Sequence, residues 1–166
     1  MNMKVLNTLT VCMLAVALTG FSLDSPGQSA SVKPKEEVVR SIEFREKTEE
    51  GGNTCTVKIE NSDITVNLND EEYSCENDEM RYFRLNDVRS ATLITLESKD
   101  CDDSGGWVFV LKTYVDPVTT GLIAIDDLDD KSEGAIVVPG VLMQEKRNDD
   151  ENTTGKLSCV RINISD

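Results

Sequence analysis

TCTVKIENSDITVNL, residues Thr54 to Leu68, carries the clearest hydropathic pattern of the chain. Cys55, Val57 and Ile59 alternate with polar residues, ENSD interrupts, and Ile64, Val66 and Leu68 resume the alternation. A period of two is that of a strand with one buried face. Two such runs joined by a short polar segment predict a β-hairpin.

The same logic extends outward. RYFRLNDVRSATLITLES leads into a strand whose two faces are both apolar at Leu93, Ile94 and Leu96, as expected inside a sandwich. WVFVLKTYV puts Trp107, Phe109 and Leu111 on one face, where core packing accounts for the aromatics. AIVVPGVLM reads as a strand interrupted at Pro139-Gly140, which predicts a bulge or a sheet edge. LSCVRINIS closes with Val160, Ile162 and Ile164 on one face. EEVVRSIEFREKTEE fits either a helical face or an edge strand, and the strand is preferred. Short β-rich runs and frequent turn signals without a convincing long helix predict an all-β, disulfide-stabilised β-sandwich over residues 41–166.

Ahead of that domain, VLNTLTVCMLAVALTGF follows Lys4 and gives way to SLDSPGQSASVKPK. This layout predicts a secretory signal peptide over 1–22 and a flexible linker over 23–40. A membrane anchor is the competing reading, but the stretch is short and interrupted by Asn7, Thr8 and Thr10, so no stable membrane insertion is expected after the signal is removed. Gly20, Ser22 and Ala30 are each small enough to precede the cleavage point, and Cys12 leaves with the signal. The predicted location is secreted or periplasmic.

Four cysteines then remain, Cys55, Cys75, Cys101 and Cys159. In an oxidising compartment they predict two disulfides. Their spacing is too wide for zinc knuckles, and the chain has no histidine to complete a mixed site. Of the three connectivities, Cys55 with Cys75 and Cys101 with Cys159 is preferred; the first would staple neighbouring strands and the second would tie the middle of the domain to its last strand.

Loss of the signal removes Lys4 alone among charged residues and leaves 16 basic and 31 acidic side chains, a formal balance of −15. Nucleic acid and other polyanions are poor partners for such a chain. Solubility by self-repulsion explains much of the charge; divalent cations and basic protein surfaces are the binding classes it favours.

Without histidine the usual general base is missing, and the carboxylates sit in loops with Asn, Ser and Gly rather than in apolar clefts that would raise one pKa. A non-catalytic function is therefore expected. Oxygen-rich loops suit calcium better. In Asn86-Asp87-Val88-Arg89-Ser90-Ala91, Asp87 could ligate directly and Ser90 add a hydroxyl, whereas an Asn-Asp turn explains the same residues without metal. Asp100-Cys101-Asp102-Asp103-Ser104-Gly105 spaces side-chain oxygens at Asp100, Asp102 and Ser104 before a glycine, but Leu111 stands where an EF-hand has its glutamate. A disulfide-pinned turn is the competing explanation. The Asp126 to Asp130 cluster has no glycine at the needed place and reads as a charged loop. Asn152-Thr153-Thr154 and Asn163-Ile164-Ser165 match the glycosylation acceptor pattern, which matters only in a glycosylating host.

The Asn86 to Ala91 loop resembles the N/D-N/D-x-x-S/T-S calcium motif of the βγ-crystallin family, and LSCVRI, Leu157 to Ile162, is similar to the close of that family's second repeat. The resemblance implies two Greek-key motifs in one sandwich, covering roughly Thr54 to Ile164, with weak calcium binding at the first loop. Ala91 replaces the second serine, Arg89 stands at an apolar position, and Thr154 and Gly155 occupy the acidic pair of the second repeat. Two functions follow as expectations: an exported non-catalytic binding domain with weak calcium binding, or a small exported inhibitor or immunity-type protein acting on a protein partner.

Overall fold

A computed structural model describes residues 38–49 and 51–165. The predicted signal peptide and most of the linker lie outside the described residues. Glu36–Asp166 forms one compact unit.

Among the described residues ten strands make two antiparallel sheets. One holds β2 (Thr54–Lys58), β1 (Ser41–Arg45), β4 (Tyr82–Asn86) and β7 (Ile123–Ala124), in that spatial order. The other holds β3 (Ile64–Asn67), β10 (Cys159–Asn163), β5 (Leu93–Glu97), β6 (Val108–Thr113), β9 (Val141–Arg147) and β8 (Ile136–Val138). The register lines up inward-facing residues in rows. Val57, Ile42 and Leu85 are paired across the first sheet, as are Cys55, Phe44 and Phe83. In the second, Val66, Val160, Leu96 and Phe109 form one row, and Ile64, Ile162, Ile94, Leu111 and Met143 another. All of these are buried except Ile64, which packs partly against them. Each fully buried aliphatic or aromatic side chain contributes about 1.5–3 kcal/mol of transfer free energy, so the two facing surfaces make the molecule a β-sandwich with one core.

The expected hairpin at Thr54 to Leu68 does not form. β2 pairs with β1 and β3 with β10, so ENSD carries the chain from one sheet to the other. Alternation reports which face is buried, and both runs do face the core, with Val57, Ile59, Val66 and Leu68 buried. It does not report the partner. The partner is set partly by Asp63, whose carboxylate accepts from the Ile164 N–H at 2.8 Å and the Asn163 amide at 3.1 Å. These two bonds hold its carboxyl below the usual range, the backbone bond being the larger cause, and they deliver β3 to β10.

Two further expectations change. β1 is an interior strand, flanked by β2 and β4, rather than an edge. The stretch from Tyr82 to Glu97 contains two strands in different sheets, not a connection leading into one. Pro139-Gly140 does mark an edge: it turns β8, the outermost strand, into β9. Trp107 and Phe109 are buried and stack at 4.9 Å, as core residues.

Both disulfides form with the expected connectivity, Cys55–Cys75 and Cys101–Cys159. Cys75 lies in the acidic connection just past a 3-10 turn at Glu71–Tyr73, so this bridge anchors a loop to β2 instead of joining two strands. Cys101 lies between β5 and β6 and reaches the first residue of β10. Two disulfides in one small domain are the signature of an oxidising compartment. Among the described residues no helix is long and apolar enough to cross a membrane.

Candidate functional site

β5 separates the two loops proposed for calcium. The Asn86 to Ala91 segment precedes its first residue, Leu93, and the Asp100 to Gly105 segment follows its last, Glu97. They stand at opposite ends of the sandwich and cannot share an ion.

At the first loop, β4 ends and the chain crosses between sheets. Asp87 takes a left-handed conformation, φ 51°, which Asp tolerates better than most residues. Its N–H donates to Thr119 Oγ1 at 3.0 Å, and Thr119 Oγ1 lies 3.4 Å from Asp87 Oδ1. Val88 and Val118 exchange backbone bonds at 3.0 and 2.7 Å. The Arg89 carbonyl accepts from the hydroxyls of Thr92, at 3.0 Å, and Thr113, at 2.5 Å. Asn86 directs its amide to the Ser41 hydroxyl at 3.3 Å, across the strand pair. Ser90 is half-buried between Arg89 and Ala91. Protein contacts thus hold much of the loop: Asn86 serves the sheet, Asp87 bonds to Thr119, and the Arg89 carbonyl is engaged.

The second loop is anchored on three sides. The Cys101–Cys159 bridge fixes it to β10. Arg161 spans the same junction, donating to Glu97 Oε1 and to the Cys101 carbonyl, each at 2.6 Å. Asn69 Nδ2 reaches both carboxylate oxygens of Asp100 at 2.9 Å. Asp102, Asp103 and Ser104 remain exposed at the tip. The chain returns to β6 through Gly106, φ 66°, where a Cβ would collide with the Ser98 hydroxyl and the Glu151 carboxylate.

That collision marks a clasp absent from the sequence-based expectations. Ser98 donates to Glu151 Oε2, Lys99 Nζ donates to Glu151 Oε1 at 2.6 Å, and the Trp107 N–H donates to Ser98 Oγ at 3.0 Å. The Lys99 ammonium, with help from Ser98, holds the Glu151 carboxyl below the usual range, and Glu151 raises the Lys99 pKa in return. Asp126 makes a second clasp, accepting from the hydroxyls of Thr153 at 2.9 Å and Thr154 at 2.7 Å. Both clasps fasten the loop between β9 and β10 onto its neighbours. They were invisible in sequence because their partners lie more than twenty residues apart and follow no motif.

Among the described residues no three Asp, Glu, Cys or His side chains gather in a way that could hold a metal ion. Calcium at either loop would therefore draw on hydroxyl, amide and carbonyl oxygens beside one or two carboxylates. Of the two glycosylation acceptors, Asn152 is exposed and its Oδ1 accepts from the Thr154 N–H at 3.1 Å, while the Asn163 amide is committed to Asp63.

No protein-family model, curated protein or solved structure matches this chain.

Proposed function

We propose that this chain is an exported, secreted or periplasmic, non-catalytic binding domain that presents the Asp100 to Gly105 loop to a basic surface of a protein partner. The observation that carries this reading is the contrast within that loop: its base is tied by a disulfide, by Arg161 and by Asn69, while Asp102, Asp103 and Ser104 are exposed. A loop held in one conformation before binding loses little entropy on association, which is how rigid recognition loops gain affinity. The acidic balance of the chain adds attraction and faster encounter with a cationic partner. An inhibitor or immunity-type role is the form this takes when the partner is an enzyme.

Affinity capture from the native host with the intact exported chain tests the proposal when run beside an Asp102→Asn/Asp103→Asn variant. Retention of one partner by the unmodified chain and its loss from the variant is the expected result; a partner held equally by both would reject the loop as the recognition element.

Weak calcium binding, the property implied by the crystallin-like resemblance, is a second reading. It is favoured by the fixed backbone around Asp87, which a bound ion would not have to order. A thermal melt with and without millimolar calcium distinguishes it, because a ligand of the native state alone must raise the transition.

A further inference from the structure

β9 is seven residues long and its outer neighbour β8 only three. β8 covers β9 near Val141 and Leu142, and the backbone bonds between Met143 and Gly134 and Ala135 end the pairing. Beyond Met143, the outer edge of β9 from Gln144 to Arg147 has no strand beside it among the described residues. An open cavity of about 450 Å³ lies there, lined by Asp129, Lys131, Glu133, Lys146 and Asp150 among others.

One bond shows how this edge is closed. The Lys146 N–H, which a neighbouring strand's carbonyl would normally take, donates instead to the carboxylate of Glu133 at 3.2 Å. The Lys146 ammonium is occupied separately, by the carbonyl of Asp129 and by its carboxylate at 3.0 Å. Glu133 therefore stands in for a missing strand. It is a side chain on an exposed loop, so it can be displaced.

We propose that the notch beside Gln144 to Arg147 is a docking site for an extended segment of a protein partner that carries a lysine or arginine. The segment's backbone carbonyl takes the Lys146 N–H, adding a short strand to the sheet edge. Glu133, released, pairs with the cationic side chain. Charge selects the occupant: the three carboxylates Asp129, Glu133 and Asp150 exceed the two ammonium groups by one. A second copy of the exported chain, with a formal charge of −15, is repelled by the same arithmetic. The inference rests on the binding reading above and gives it a second contact, since β9 ends opposite the start of β6, at the Asp100 to Gly105 end of the sandwich.

The test uses three fluorescein-labelled heptapeptides of alternating Val and Thr, with Lys, Glu or Lys-Pro at the centre, titrated by anisotropy and followed by backbone amide shifts of the isotope-labelled protein. The lysine peptide should bind about tenfold more tightly than the glutamate peptide, one charge-assisted pair's worth. The proline peptide should bind more weakly than the lysine peptide, and the largest amide shifts should fall at 144–147 and 131–133. Glu133→Gln should bring the lysine to glutamate ratio close to one. Equal affinity of the unmodified protein for the lysine and glutamate peptides would overturn the proposal. Shifts centred on 100–105 would also overturn it, while leaving the acidic-loop reading intact.

Discussion

Thr113 shows how much one side chain can hold together. It is fully buried, and its hydroxyl donates to the Arg89 carbonyl while accepting from the Thr92 N–H at 3.0 Å. Thr113→Val keeps the shape, strands the buried Thr92 N–H and removes one of the two hydroxyls on the Arg89 carbonyl. It should lower unfolding free energy by about 1–3 kcal/mol, read as a shift in urea midpoint without change in slope. Asp87 offers a different prediction, tied to the calcium reading. Because its backbone is left-handed, Asp87→Gly removes the carboxylate without the strain an alanine would add. Any calcium-induced rise in melting temperature should vanish in Asp87→Gly and persist in Asp127→Ala, whose side chain is exposed beside the buried Leu128. Equal loss in both variants would point to diffuse attraction of cations, which added salt screens.

Among the elements, the strands were largely legible and their partners were not. Phe109 and Leu111, and Val160 and Ile162, announced their buried faces by alternation, and burial confirms each pair; β5, expected to be apolar on both faces, buries Ile94 and Leu96 fully and Leu93 only partly. Pairing is a different quantity. Val57 and Val66 look like two arms of one hairpin, yet Asp63 bonds to Ile164, a residue 101 positions away, and nothing local encodes that choice. The disulfide partners were legible because four cysteines allow few combinations. The Ser98–Lys99–Glu151 clasp was not, for want of any periodic signal. Its effect is measurable through pH. Glu151 has a folded pKa below its ordinary 4.5, so the stability it contributes is fully present above that value and is lost as pH falls through the folded pKa. Glu151→Gln should flatten the fall in urea midpoint below about pH 4.5, with a loss at neutral pH of about 1 kcal/mol, since the pair is partly screened by solvent. Unchanged acid sensitivity in that variant would show that the clasp contributes nothing to the loop's attachment.

For the whole molecule, the two bridges differ in span. Cys101–Cys159 closes a separation of 58 residues and Cys55–Cys75 one of 20. On the chain-entropy account they stabilise by about 4 and about 3 kcal/mol. The double serine variant at 101 and 159 should therefore melt below the one at 55 and 75. In the exported form no free thiol should react with a labelling reagent before reduction, and intact-mass measurement should place the first residue at Phe21, Leu23 or Ser31 with Cys12 gone. A reactive Cys55 or Cys159 in that form would break the two-bridge picture.

The crossing of the chain at ENSD also sets an order in time. β3 waits for β10, which lies between β3 and β5, second from the edge of the larger sheet, so residues 159–163 must be present before β3 can join that sheet. A nascent chain lacking them leaves β3 without a partner and one edge of β5 open, and pairings this distant in sequence form slowly. A polypeptide that delays closure in this way stays threadable. On the export reading proposed above, that suits passage through a translocation channel as an extended strand, with compaction deferred until the far side is reached.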